Sequence, residues 1–206
     1  MMMGTIYLII ASILWGLVHS ILASHAIKHS LRTIVGPSAF HRIYRLSYNL
    51  FALASFFPVI LMLITFPDQL LYNIPIPWVY VTSILQGLAG FALIAGIMQT
   101  GPMEFLGLAQ LSFYYVDSEP MQLVTDGLYA YIRHPLYTAG LIFIWLSPEM
   151  TINRLALWII LSLYILIGIY FEERKLLNDF GAAYADYKVR TPMLIPNPFK
   201  ILNRKP

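Results

Sequence analysis

Five stretches of this 206-residue chain carry no Asp, Glu, Lys or Arg: 1–26, 46–67, most of 69–104, 136–148 and 155–171. A helix needs about 20 apolar residues to cross a hydrocarbon core, and fewer where its ends reach the interface. Inside a bilayer every backbone N–H and C=O must be satisfied within the protein, which leaves helices for apolar runs of this length. Charged residues make up 11% of the chain, against about 25% in a soluble domain. The expected fold is therefore all-α, a polytopic membrane bundle of about five transmembrane helices. A short C-terminal helical hairpin and an interfacial C-terminal helix complete it, in a single domain over residues 1–206.

Charge placement gives an orientation. With five spans and the N-terminus outside, all of the 13 Lys and Arg residues except Arg154 fall on one side. Positive residues favour the cytoplasmic side, so the C-terminus and the Arg133 region are expected there. A basic patch of this kind reads as membrane-surface charge, with the lipid bilayer as partner and no nucleic acid. The N-terminal run lacks the positive residues that precede the core of a cleaved signal peptide, so it is read as a retained first span.

No cysteine is present, which excludes disulfides, thiolate nucleophiles and Cys-ligated metal or haem. His19 and His25 lie six apart, off one helical face, and no metal site is expected. His19 sits inside the first span, where a polar side chain serves either function or an interhelical hydrogen bond. His25 and His29 read as solvated surface residues. Arg42, Arg45 and Asn49 stack on one helical face. They are either snorkelling arginines among tyrosine anchors or a basic wall facing a bound ligand. Pro58 is expected to kink the second span, and Gly87 and Gly90 to allow close helix approach in the third. Residues 100–125 are too polar to span and are expected to lie along the same face as a lid or reentrant segment, with Glu104 and Gln110 as further polar groups.

The most informative stretch runs from Gly127 to Pro196. After His134-Pro135 only 11 uncharged residues precede Ser147, a rise of about 16 Å, half a hydrocarbon core. Either this span is shallow or Arg133 and His134 lie below the membrane surface, where charge is costly unless paired or solvated by a ligand. Pro135 fits a helix start, whose free N–H groups suit an anion. Glu172 and Glu173 stand at the exit of the last span. There they make surface pairs with Arg174 or Lys175, or bind a hydroxyl-rich or cationic ligand. Leu176, Phe180, Tyr184 and Tyr187 recur at helical spacing, a stripe that reads as membrane docking before it reads as a ligand wall.

In order and spacing, Gly127-Leu128-Tyr129, Arg133-His134-Pro135-x-Tyr137, Glu172-Glu173 and Phe180-Gly181-x-x-Tyr184-x-x-Tyr187-x-x-Arg190-x-Pro192 resemble the isoprenylcysteine carboxyl methyltransferase superfamily of integral-membrane methyltransferases. The segments around Trp145–Thr151 and Pro192–Pro196 look more like the bacterial methanethiol S-methyltransferases. The resemblance implies S-adenosylmethionine as cofactor, bound on the cytoplasmic side by residues 100–206, with the three N-terminal spans in 1–99. It also implies a multi-pass protein of a bacterial inner membrane. Arg133, His134, Pro135, Tyr137, Ala139, Gly140, Glu172, Glu173 and Tyr184 are the cofactor-binding candidates, and Arg190 and Glu173 the catalytic ones. Family members have Gly two residues after the motif tyrosine, where this chain has Ala139 and then Gly140. His19, Arg42 and Arg45 are candidates for the substrate.

The residue types suit that chemistry. Aromatic faces stabilise a sulfonium, carboxylates suit hydroxyls and an ammonium, and a cationic wall favours a thiolate acceptor. A small or lipophilic thiol acceptor is expected. The alternatives are carboxyl methylation of a prenylated cysteine, an NADPH-dependent membrane reductase, and a non-enzymatic haem-binding or transport protein.

Overall fold

The computed structural model describes residues 2–99, 101–112 and 122–196. Among them are eight α-helices: α1 (Met2–Ala23), α2 (His25–Val35), α3 (Pro37–Thr65), α4 (Trp78–Gln99), α5 (Pro102–Leu106), α6 (Pro135–Trp145), α7 (Ile152–Phe180) and α8 (Ala182–Arg190). Four of these, α1, α3, α4 and α7, are long and apolar enough to cross a membrane, and α6 is a shorter apolar helix of 11 residues. The all-α membrane bundle is thus what the chain forms, and the expected fourth span is its short helix. Part of the expected lid, residues 113–121, lies outside the described residues.

The described residues form two compact units, 2–73 with 101–112 and 149–161, and 74–99 with 122–148 and 162–196. Helix α7 contributes residues 152–161 to the first and 162–180 to the second.

In the first unit, Leu8, Val59 and Leu157 bring α1, α3 and the start of α7 together, flanked by Trp15, Phe56 and Trp158. Between apolar helices in lipid the gain comes from close packing and interhelical hydrogen bonds. Thr5 Oγ1 lies 2.6 Å from Oδ1 of Asn153, a fully buried residue whose backbone N–H donates to Asp68 Oδ1 at 3.0 Å. The two connections at this end pair as short antiparallel strands, β1 (Leu70–Asn73) and β2 (Glu149–Thr151). Helix α3 starts on Pro37 and runs through Pro58 without interruption.

Arg42, Arg45 and Asn49 turn out to hold the polar connection after α4. Arg45 Nη1 donates to Glu104 O at 2.7 Å, Asn49 Nδ2 to Phe105 O and Leu106 O at 3.0 Å each, and Arg42 Nη2 to Leu111 O at 3.4 Å. The carbonyls at a helix end lack intrahelical donors; Asn49 supplies those of Phe105 and Leu106, while Glu104 O also accepts from Gly107 N at 3.2 Å. Gly107 ends α5 at φ +87, and a Cβ there would lie 2.5 Å from Leu46 N, so a side chain is excluded by conformation and by space alike.

In the second unit α4 and α6 pack through Gly96 and Gly90. A Cβ at Gly96 would lie 2.6 Å from Leu136 Cδ2, whereas Gly87 has nothing within 4 Å. Close approach therefore belongs to Gly96, while a Cβ at Gly90 of the expected pair would make ordinary contact with Phe143 at 3.7 Å and one at Gly87 none. Gln86 Nε2 donates to Phe143 O at 2.8 Å, and Gln99 Oε1 accepts from Leu128 N at 3.3 Å, fixing the single turn Gly127–Ala130.

Candidate active site

Three separated pieces of the second unit meet at Glu173. Helix α7 does not end at the apolar boundary after Phe171 but continues to Phe180, so Glu172 and Glu173 lie two turns inside it and the penalty for acids at a helix C-terminus does not arise. Gly181, at φ +54 and ψ −125, breaks the helix and starts α8. Leu176, Phe180, Tyr184 and Tyr187 therefore do not share one continuous face. Tyr184 and Tyr187 are buried in the protein, at 1% and 5% exposure. This corrects their reading as a membrane-docking stripe.

Glu173 is saturated. Its Oε1 lies 2.7 Å from Arg133 Nε, 2.5 Å from Arg133 Nη2 and 3.2 Å from His134 Nε2, while Oε2 lies 2.7 Å from Lys188 Nζ. Arg133 also donates through Nη1 to Lys188 O at 3.1 Å and to Thr191 O. Its side chain is slightly more buried than that of Glu173. The fork geometry of a guanidinium suits such multiple acceptors.

The chain after α8 straps this corner. Arg133 N donates to Pro192 O at 2.9 Å and His134 N to Met193 O at 3.2 Å. Thr138 Oγ1 donates to Leu194 O at 2.9 Å, and Tyr187 OH to Tyr129 O at 2.6 Å. The N–H groups of Arg133 and His134 are thus not open to an anionic ligand, as a bare helix start would suggest. Pro135 opens α6 directly after them.

Glu172 differs from its neighbour. Its Oε2 is buried with no hydrogen-bond partner, 3.9 Å from His134 Nδ1. The Tyr184 hydroxyl is likewise buried outside hydrogen-bonding geometry. Burial pushes that phenol up to about 12, with Glu173 adding to the shift and Arg133 opposing it. Burial lowers the His134 pKa below its ordinary value, against the raising influence of Glu172 and Glu173, with Arg133 adding to the lowering. The imidazole lies between the two carboxylates, its ring 5.6 Å from that of Tyr137. Ala139 is buried, and a Cβ on Gly140 would meet nothing within 4 Å. The open position on this turn is therefore Gly140, one residue beyond the motif position.

The remaining candidates stand elsewhere. Arg190 is exposed on the last turn of α8, with Nε donating to Asp186 O at 3.2 Å. His19, Arg42 and Arg45 belong to the first unit. His19 stacks on Trp15 with ring centroids 5.0 Å apart and shares a 2.6 Å hydrogen bond with Tyr48 OH. Among the described residues no group of three or more His, Cys, Asp or Glu side chains is arranged to hold a metal. Lys188 and the carbonyls of residues 191–194 were not legible as site groups in the sequence. The nearest signals were the basic residues flanking Tyr187 and the prolines at 192 and 196, which bar a regular helix.

Comparison with known proteins agrees with the resemblance read from these motifs. Methanethiol S-methyltransferase 1 of Bradyrhizobium diazoefficiens is 31% identical over 186 residues, 89% of this chain and 64% of that protein. Methanethiol S-methyltransferase of Pseudomonas deceptionensis is 40% identical over 73 residues, 35% of this chain and 28% of its own length. Protein-S-isoprenylcysteine O-methyltransferase of Schizosaccharomyces pombe is 38% identical over 79 residues, 36% of this chain and 33% of its own. The chain thus spans less than two thirds of each of these relatives. No solved structure gives a significant match. The family model of the NnrU protein matches residues 7–147, more than half of the chain, and the chain belongs to that family.

Proposed function

We propose that this chain is an integral-membrane methyltransferase that uses S-adenosylmethionine and acts on a small or lipophilic thiol of the methanethiol type. One observation carries the reading. Motif residues of three separate stretches, Arg133-His134, Glu172-Glu173 and Tyr184 to Thr191, fold into a single buried polar corner of one unit. Similarity to proteins named methanethiol S-methyltransferase and isoprenylcysteine O-methyltransferase supports the same reaction class.

The residues fit the cofactor. Glu172 carries one oxygen, Oε2, outside hydrogen-bonding geometry on a side chain that is 42% exposed beside Tyr137; such a carboxylate suits a ribose hydroxyl or an ammonium. The rings of His134 and Tyr137 offer π faces suited to a cation. When bound, S-adenosylmethionine supplies an electrophilic methyl on a sulfonium. Glu173 is a positioning residue, tying Arg133, His134 and Lys188 together. The strap of residues 192–194 holds the His134 backbone and keeps water from it. Arg190 is assigned to the acceptor, where a guanidinium favours a thiolate. On the substrate side, the geometry gives Arg42 and Arg45 the task of holding residues 101–112, and His19 with Tyr48 is the polar group of the first unit assigned to the acceptor path. We place the N-terminus outside and the C-terminus in the cytoplasm of a bacterial inner membrane, with residues 100–206 as the cofactor-binding half of one domain.

Headspace dimethyl sulfide from membranes given S-adenosylmethionine and methanethiol tests the reading. Release that depends on the protein and falls in Glu172→Gln supports it. No release from methanethiol, with labelled methyl recovered in a prenylcysteine ester, moves the acceptor to the carboxylate reading.

A further inference from the structure

Helix α2 connects two candidate spans, and its charge has a direction. No Asp or Glu occurs before Asp68, and within 1–67 every Lys and Arg falls between Lys28 and Arg45. At 3.6 residues per turn His25, Lys28, His29 and Arg32 share one stripe of α2, while Ile27, Leu31 and Ile34 share the opposite one. The helix is held at both ends. The Ser24 hydroxyl accepts from Ile27 N, and Gly36 at φ +84 turns the chain into Pro37 of α3. Lys28 Nζ sits 5.9 Å over the Tyr44 ring of α3. Ile34 is 77% exposed and Val35 45% exposed, and no residue of α2 is buried.

A helix with a cationic stripe and exposed aliphatic residues, at the junction of two spans, has the composition of an in-plane interfacial helix. We propose that α2 binds the headgroup phosphate of an anionic phospholipid through Lys28 and Arg32, with Ile34 of the opposite stripe in the acyl boundary below it. Charge complementarity selects this occupant. The stripe is purely basic within a segment of 67 residues free of acids, so a zwitterionic headgroup brings an extra cation that nothing in this segment balances. Each Lys or Arg near an anionic surface contributes about fivefold in affinity, about 1 kcal/mol.

The test is a competition between phosphatidylglycerol and phosphatidylcholine for the full chain in detergent, read by native mass spectrometry. The expected result is preferential retention of phosphatidylglycerol. The preference should drop about 25-fold in the double variant Lys28→Gln, Arg32→Gln and return in Lys28→Arg, Arg32→Lys. Lys175→Gln, on the other unit, controls for general charge and should leave the preference unchanged. Equal retention of the two lipids by the unaltered protein overturns the proposal. So does a preference that survives the double Gln variant, or one that Lys175→Gln removes to the same extent.

Discussion

Arg133 and Glu173, 40 residues apart in sequence, meet through two guanidinium nitrogens at 2.5 and 2.7 Å, with side chains only 8% and 10% exposed. That pair joins the start of α6 to α7, and through Lys188 and Thr191 it also joins α8 and the strap. Removing one partner of a buried pair leaves the other uncompensated, at about 3–5 kcal/mol. Arg133→Met should therefore lower the thermal unfolding midpoint of detergent-solubilised protein steeply. Lys188→Met should move it little, because an ion pair to a half-exposed lysine contributes about 0–1 kcal/mol. Equal shifts from the two variants would contradict this division.

Two glycines should respond oppositely to a methyl group. Gly181 holds a conformation that L side chains rarely adopt, and Gly181→Ala should destabilise by about 1–3 kcal/mol. Gly140 is helical with open space around its Cβ position, so Gly140→Ala should keep or raise stability, by up to about 1 kcal/mol. Melting curves of the two variants check both halves.

His134 gives the fold a pH dependence of defined sign. Its folded pKa lies below the ordinary 6.5, first because of burial. The folded state therefore binds fewer protons than the unfolded chain just below pH 6.5, and stability rises with pH there. This contribution is fully present above pH 6.5 and is lost as pH falls through the lowered folded value. Unfolding midpoints measured downward from pH 7 should fall more steeply for the unaltered protein than for His134→Gln. Parallel profiles would remove the histidine from the account.

Asn49 closes two carbonyls at the end of α5. Asn49→Ala leaves both without this donor, at about 1 kcal/mol per lost hydrogen bond. The measurable outcome is faster proteolytic cleavage within residues 101–112, with the strap of residues 191–194 unchanged.

Much of this was legible because charge inside apolar sequence is expensive and therefore conspicuous. Arg133-His134 beside an 11-residue helix, and Glu172-Glu173 at the end of an apolar run, stand out on that ground alone. Different features stayed hidden for a common reason. The strap of Pro192, Met193 and Leu194 acts through backbone carbonyls, which carry no residue identity. The pairing of Leu70–Asn73 with Glu149–Thr151 joins segments about 80 residues apart without a periodic signal. The turn at Gly181 reset the register of α8, burying Tyr184 and Tyr187 and placing Lys188, rather than Arg190, on Glu173. Arg42, Arg45 and Asn49 were visible as a face, but its partner, the end of α5, is a tertiary fact.

The central claim is that Glu172 offers its unpartnered oxygen to the cofactor while Glu173 holds the site together. Calorimetric titration of S-adenosylmethionine into the purified full chain and into Glu172→Gln tests it most directly. A lost charge-assisted hydrogen bond corresponds to about 1.5–3 kcal/mol, so affinity should fall about 10-fold or more, at an unchanged melting temperature. Binding of equal strength in both proteins, or no binding to the unaltered chain, would contradict the account.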